Sequence, residues 1–202
     1  MIVGVVLAAG ASTRMGRPKA LLPTGRADET FVRRLVTTLY DGGLQDVVVV
    51  TRPDLALDRA FAGMRRPPRV VENANPEDGQ LSSLVAALST ADRPGVAAVL
   101  VTTVDQPFVS PATVAALLDA YSRADARIVR PVWDGRHGHP VIFERSLFDE
   151  LRRADRAVGA QAVVRAHAAS ILDVQVDDEG AFIDIDTPAD YERVVGTSVP
   201  AE

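Results

Sequence analysis

Short, uninterrupted apolar runs alternate with helical patterns along this chain, and one run holds four consecutive valines at 47–50. A strand without polar residues on either face has to be covered on both faces, which is typical of parallel sheets flanked by helices. We therefore predict strands at 2–7, 46–51, 69–72 and 96–103. The helical patterns between and after them lie at 30–40, 54–62, 81–89 and 110–123.

The alternation loosens after Ala126. Strand-like runs follow at 127–132, 140–143 and 171–176, and helical patterns at 146–154 and 159–168. Thr187-Pro188 is typical of a helix start, with Asp190 in the capping-box position. The predicted fold is α/β and three-layered, with a mainly parallel twisted sheet and helices on both faces. We expect one domain over residues 1–202, divided near residue 126 into halves 1–126 and 127–202.

The loop after the first predicted strand has the composition of a phosphate site. It holds Gly10, Ser12, Arg14 and Gly16, and it ends at Lys19, the one lysine among 22 basic residues. Such a loop can turn several backbone N–H groups toward one anion, and the cations add charge beside them. It is neither a Walker loop nor a Gly-x-Gly dinucleotide fingerprint. The alternative is a plain strand-to-helix turn with solvated charges.

Asp105 follows the predicted strand 96–103 almost directly. Parallel strands place ligands beyond their carboxyl ends, so Asp105 and the loop after Leu7 are predicted to face one pocket. Mg²⁺ binds through one or two protein carboxylates and phosphate oxygens, which makes Asp105 a candidate metal ligand. The alternative is an aspartate that caps a turn.

Two further segments carry candidate site residues. Alternation in 183–186 predicts that Asp184 and Asp186 lie on one strand face. Asp186 also precedes the Thr187 cap, where a carboxylate can simply stabilise a helix N-terminus. In the second segment, Gly79 precedes Ser82 and Ser83 at a predicted helix start. Taken alone, either serine reads as an N-cap.

Composition narrows the class of protein. The chain has no cysteine, which excludes disulfides and thiolate metal sites and is compatible with the cytoplasm, where we expect it. The net charge of −5 and 5% aromatic content argue against nucleic acid as a partner. No apolar stretch reaches about 18 residues, so no membrane span is expected.

The run Leu-Ala-Ala-Gly-x-Ser-x-Arg-Met-Gly-x-x-Lys, from Leu7 to Lys19, resembles the MobA-like nucleotidyltransferases. The Ala-Ala-Gly form, with Gly138-His139-Pro140 further on, is most similar to the molybdenum cofactor cytidylyltransferase branch. The resemblance implies a Rossmann-like fold and molybdenum cofactor biosynthesis. It also implies Mg²⁺-dependent transfer of CMP from CTP to a phosphorylated acceptor such as molybdopterin, with release of pyrophosphate.

The resemblance also implies roles for individual residues. The loop would hold the triphosphate, Arg14, Lys19 and Asp105 would be catalytic, and Asp105 and Asp186 would bind the metal. The set that would contact the nucleotide is Leu7, Ala8, Ala9, Gly10, Ser12, Arg14, Gly16, Lys19, Gly79, Ser82 and Ser83. Residues 1–126 thus become the nucleotide half and 127–202 the acceptor half, where Arg130 and His139 are candidates to meet an acceptor phosphate.

The segment 156–161 departs from the resemblance. The family has Gly-Asp-x-Gly-Ala-Arg there, whereas this chain lacks both the acid and that arginine, with Ala157 and Gln161 in their places. The identity of the acceptor therefore stays open between molybdopterin and a sugar or polyol phosphate, and a guanylyl donor is an alternative to CTP. A further alternative is a weakly catalytic chaperone that delivers the molybdenum cofactor to a molybdoenzyme. An NAD-dependent oxidoreductase is disfavoured by the missing dinucleotide fingerprint.

Overall fold

Eight strands form one mixed sheet in the computed structural model, which describes residues 1–200. Their order is β3-β2-β1-β4-β7-β5, and both β8 and the short β6 pair with β5. Four pairings are parallel, β1 with β2, β1 with β4, β2 with β3 and β5 with β8. The strands are β1 Ile2–Leu7, β2 Val47–Thr51, β3 Arg69–Glu72, β4 Ala98–Thr103, β5 Ile128–Trp133, β6 Arg136–His137, β7 Val141–Glu144 and β8 Ile171–Gln175.

Within residues 1–200, six helices cover the two faces of this sheet. They are α1 Phe31–Asp41, α2 Gln80–Ala91, α3 Pro111–Arg123, α4 Phe148–Arg153, α5 Gln161–Ala166 and α6 Pro188–Val195. The buried apolar residues of α1, α3 and α6 form one core layer, and those of α2, α4 and α5 form the other. No helix within residues 1–200 is both long and apolar enough to cross a membrane.

Alternation along β1 explains how one strand serves both layers. Val6 points into the layer with α1, whereas Val3 and Val5 point into the layer with α2. All of β2 and β4 is buried as well. The predicted three-layer fold with a mainly parallel sheet is therefore confirmed, because strands covered on both faces need helices on both sides.

The predicted helix at 54–62 is wrong. The structure has only a short 3-10 turn at Asp58–Phe61. Arg33 of α1 donates hydrogen bonds to the carbonyl oxygens of Ala60 and Ala62, and the Thr51 hydroxyl donates to that of Leu55. Side chains from other elements thus satisfy carbonyls in this stretch, so no helix is needed to pair them.

The predicted capping box at the last helix is present. The Thr187 hydroxyl accepts a hydrogen bond from the backbone N–H of Asp190, whose carboxylate accepts one from the N–H of Thr187. Hydrogen bonds from Thr187 lower the pKa of Asp190 to about 2. The cap fixes the start of α6 and thereby the position of Asp186 immediately before it.

Candidate active site

The loop after β1 is organised around Ser12. Ser12 has φ +52°, and its hydroxyl accepts a hydrogen bond from the backbone N–H of Lys19 at 3.1 Å. Its carbonyl accepts from the N–H groups of Met15 and Gly16. These bonds fold the loop back on itself and bring Lys19 beside the end of β1.

Lys19 and Arg14 share one carboxylate partner. The Lys19 ammonium lies 2.5 Å from Asp186 Oδ1, and a terminal guanidinium nitrogen of Arg14 lies 2.9 Å from Asp186 Oδ2. The Lys19 side chain is 10% exposed, whereas that of Arg14 is 68% exposed. The hydrogen bond from Lys19 and the charge of both cations hold the pKa of Asp186 below its usual value. Arg17, in the same loop, instead donates to the carbonyl of Pro200.

Asp105 lies just beyond the end of β4 and lacks a partner on one oxygen. Its Oδ1 is buried and has no hydrogen-bond partner among the described residues. Its backbone carbonyl accepts from the N–H of Ile185 at 2.8 Å, which ties the loop after β4 to the segment before α6. Gln106 donates to Asp184 Oδ1, also at 2.8 Å. Burial, with Asp105 and Asp186 nearby, raises the pKa of Asp184.

Two close backbone contacts pack the loops that carry these carboxylates. A Cβ on Gly180 would lie 2.1 Å from the carbonyl oxygen of Phe108, and one on Gly138 would lie 2.2 Å from that of Ala181. Only glycine permits such an approach. The turn around 138, the segment 178–186 and the loop after β4 are therefore stacked with little freedom to shift.

A cavity of about 300 Å³ opens between the β1 loop, the start of α2 and the loop after β4. The predicted residues that line it are Leu7, Gly10, Ser12, Arg14, Lys19, Gly79, Ser83, Asp105 and Asp186. The four predicted residues outside its lining are Ala8, Ala9, Gly16 and Ser82. We call it the nucleotide cavity, after the predicted nucleotide contacts in its lining.

The predicted residues outside the lining have other surroundings. Ala8 and Ala9 are buried in opposite core layers. The Ser82 hydroxyl is bonded to the carbonyls of Gly79 and Asn75. Sequence reasoning missed Thr13 and Gln80, which do line the cavity. Their neighbours in the motifs, Ser12 and Gly79, are the signal that could have found them.

The structure does not place 183–186 in a strand, so the predicted alternation is wrong there. Asp184 and Asp186 instead turn to different partners, Gln106 and Lys19 respectively. Asp186 contributes to the nucleotide cavity and Asp184 is absent from its lining.

A second cavity, of about 420 Å³, adjoins the first and shares Leu7 and Gln80 with it. We call it the acceptor cavity, after the predicted acceptor contacts in its lining. Arg130 and His139 line it, as does the whole segment 156–161. His139 is held by a hydrogen bond from its N–H to the Ala181 carbonyl. Burial lowers the pKa of His139 despite the nearby Asp105 and Asp184, which favours its neutral form.

The donor set of the nucleotide cavity fits a hard divalent cation. Asp105 offers a buried, unpaired carboxylate oxygen, and Asp186 lies in the same cavity. Within residues 1–200, no group of three or more His, Cys, Asp or Glu side chains is arranged to hold a metal. Two carboxylates suit Mg²⁺, which takes its other ligands from water and phosphate oxygens.

Comparison with known proteins gives a family match over most of the chain. A profile of the MobA-like NTP transferase domain matches residues 4–171. The chain is 32% identical to a protein of Paenarthrobacter nicotinovorans named nicotine blue oxidoreductase, with 96% of each chain covered. It is 30% identical to a probable molybdenum cofactor guanylyltransferase of Mycolicibacterium paratuberculosis, covering 96% of this chain and 94% of that one.

Solved structures share the architecture. The crystal structure of Rv0371c from Mycobacterium tuberculosis H37Rv superimposes with a TM-score of 0.80 at 29% identity, covering 98% of this chain and 99% of that one. A structure of the same protein in complex with manganese gives a TM-score of 0.75 at 28% identity, covering 97% and 98%.

Proposed function

The chain belongs to the MobA-like NTP transferase family and is a nucleotidyltransferase, and from that premise we propose that it transfers CMP from CTP to a phosphorylated acceptor of the molybdopterin class. The observation that carries the proposal is the convergence of Lys19, Arg14, Asp105 and Asp186 on one cavity. A second cavity opens directly beside it, as a two-substrate transfer requires.

The chemistry proposed for this site is a displacement at phosphorus. An acceptor phosphate oxygen attacks the α-phosphorus of the NTP, a new P–O bond forms, and the bond to the bridging oxygen breaks. Pyrophosphate leaves with the electron pair. The acceptor phosphate is already ionised at neutral pH, so this scheme requires positioning and charge neutralisation and neither a protein nucleophile nor a strong base.

Lys19 and Arg14 supply the positive charge in this scheme. Both cations now contact Asp186, and a triphosphate entering the cavity offers them oxygens in its place. The nearly buried Lys19 ammonium is the better placed to neutralise charge that develops in the transition state, because its surroundings exclude water. The exposed Arg14 can contact the β- and γ-phosphates.

Asp105 and Asp186 are the residues that would hold Mg²⁺. When bound, the ion would neutralise phosphate charge and orient the reacting groups. The unpaired Oδ1 of Asp105 supports its assignment as the first ligand, because a buried carboxylate oxygen without a partner is costly unless a cation or donor meets it. The manganese complex of the Mycobacterium tuberculosis relative supports divalent-metal binding in this fold.

The preference for CTP rests on the Ala8-Ala9-Gly10 and Gly138-His139-Pro140 sequences, which resemble the cytidylyltransferase branch. The guanylyltransferase named among the relatives makes GTP the alternative donor. Cytoplasmic location and delivery of the product to a molybdoenzyme stay predictions.

Pyrophosphate release tests the proposed reaction. Purified protein is incubated with molybdopterin and either CTP or GTP, in Mg²⁺ or in EDTA. We expect release with CTP and Mg²⁺, little release with GTP, and none in EDTA. Faster release with GTP than with CTP would show that GTP is the donor. If neither nucleotide gives release with molybdopterin or with sugar or polyol phosphates, the proposal is contradicted.

The relative named nicotine blue oxidoreductase raises one second candidate, a reductase activity on a nitrogen heterocycle. The sequence lacks a Gly-x-Gly-x-x-Gly fingerprint for the nicotinamide cofactor. Oxidation of NADH or NADPH by the wild type in the presence of nicotine blue, with no pyrophosphate release in the first assay, would favour that candidate.

A further inference from the structure

The acceptor cavity is lined by apolar side chains and by two arginines. Val101 of β4, Phe143 of β7, and Leu81 and Leu84 of α2 belong to its apolar lining. The guanidinium groups belong to Arg130 on β5 and to Arg156, in the segment between α4 and α5. A cavity of this kind suits a ligand that has apolar surface and carries negative charge.

The two arginines differ in how firmly they are held. The Arg130 side chain is 19% exposed, and its Nε donates a hydrogen bond to Asp173 Oδ1 at 2.6 Å. Asp173 lies opposite Arg130 on the neighbouring strand β8. Arg156 is 67% exposed, and its partner among the described residues is Asp78, which is 33% exposed. Exposed ion pairs of this kind change an equilibrium by less than about fivefold, so Arg156 can leave Asp78 at little cost.

We propose that Arg156 determines acceptor specificity by binding an anionic group of the acceptor in competition with Asp78. The proposal rests on the function proposed above. Arg156 lines the acceptor cavity and does not line the nucleotide cavity. The attacking phosphate has to reach the nucleotide cavity, so we assign to Arg156 another anionic group of the acceptor.

The competition follows from the chemistry of the guanidinium group. Its planar fork matches the paired oxygens of a carboxylate or phosphate, and a ligand anion in a partly apolar cavity is a stronger partner than an exposed aspartate. Asp78 precedes Gly79, which lines the nucleotide cavity. Binding of the acceptor thus releases a residue adjacent to the nucleotide-binding turn.

The proposal predicts that substitutions at Arg156 and at Asp78 change the affinity for the acceptor in opposite directions. The affinity for molybdopterin is measured by titration calorimetry without nucleotide, so the readout does not depend on turnover. We expect Arg156→Ala to weaken binding by about tenfold or more and Arg156→Lys to restore part of it. Asp78→Asn removes the competitor and should strengthen binding by about threefold, within the small energy of an exposed pair. Arg153→Ala, which changes an exposed arginine outside the cavity, should leave binding unchanged.

A purely structural ion pair gives a different pattern, because removal of either partner breaks the same contact. Weaker binding by both Arg156→Ala and Asp78→Asn, or unchanged binding by Arg156→Ala, would overturn the proposal. Absence of binding by the wild type would also overturn the proposal, because this cavity would then not bind an anionic acceptor. The proposed transferase function fails on a separate result, the lack of pyrophosphate release with every acceptor.

Discussion

At the scale of single residues, Lys19 combines a nearly buried charge with a hydrogen bond that shapes its loop. Its ammonium is nearly buried against Asp186, while its backbone N–H bonds to Ser12. Alanine at 19 keeps the backbone bond, so we expect Lys19→Ala to fold normally. Turnover should fall by about 100-fold or more, because a preorganised charge at the transferred phosphate is lost. Steady-state pyrophosphate release and circular dichroism measure the two expectations.

Arg17→Ala is the matched control for this prediction. Arg17 belongs to the same loop but donates to the Pro200 carbonyl and does not line the nucleotide cavity. Its variant should retain turnover close to wild type. A folded Lys19→Ala protein with near-normal turnover would show that the loop does not hold the reacting phosphates.

Asp105 and Asp186 differ in what surrounds their carboxylates. We therefore expect substitutions at the two positions to lower the affinity for CTP by different amounts. Asp105 has an unpaired oxygen, whereas Asp186 already carries two cations. We expect CTP affinity in Mg²⁺ to fall to its EDTA value in Asp105→Asn and to fall less in Asp186→Asn. Calorimetric titration of CTP tests this, with the exposed Asp149→Asn as control. If the wild type binds CTP equally well in Mg²⁺ and in EDTA, and Asp105→Asn binds it with that same affinity in both, a metal role for Asp105 is excluded.

At the scale of elements, the contact between Gly180 and Phe108 holds the carboxylate-bearing loops together. An added Cβ forces them apart, and overpacking of this kind costs about 1–3 kcal/mol. We expect Gly180→Ala to lower the free energy of unfolding by that amount and to reduce turnover, as Asp184 and Asp186 shift. Urea denaturation provides the measurement. Gly10→Ala, whose Cβ would meet no atom within 4 Å, should unfold like the wild type.

The sequence predicted elements well wherever the signal was local. The four valines of β2 and the Thr187 cap of α6 each specify their structure within a few residues. The stretch 54–62 could not be predicted, because Arg33 from another element satisfies its carbonyls. The pairing of Lys19 with Asp186 spans 167 positions, and no periodicity encodes a contact at that separation. The motifs predicted that both residues lie at a phosphate site, but they did not predict that the two side chains contact each other.

At the scale of the whole molecule, Asp92 links the end of α2 to the second half of the chain. It pairs with Arg152 of α4 and with Arg145 after β7. The hydrogen bond from Arg152, with help from Arg145, lowers its pKa below 3.8. A lowered pKa in the folded state stabilises the protein above the unfolded pKa, and this contribution is lost as pH falls through the folded pKa.

The difference in unfolding free energy between the wild type and Asp92→Asn should therefore depend on pH. Because the pair is partly exposed, we expect a difference of about 1 kcal/mol or less at pH 7. It should shrink once the pH falls below 3.8, the ordinary value for this carboxyl. Urea titrations at pH 7 and at low pH compare the two proteins. A difference that grows on acidification would contradict the assigned role of the carboxylate.

We expect the Asp186 carboxylate to compete, as a group attached to the protein, with every anion that enters the nucleotide cavity. Its oxygens already contact the two cations that a phosphate would seek. An attached group competes at an effective concentration of about millimolar or higher. Inorganic phosphate alone therefore has to displace the carboxylate without offering it a new cationic partner. A nucleoside triphosphate that arrives with its divalent ion gives the displaced carboxylate a new positive partner. We therefore expect the cavity to bind a metal-complexed triphosphate in preference to free inorganic phosphate, whichever base the nucleotide carries.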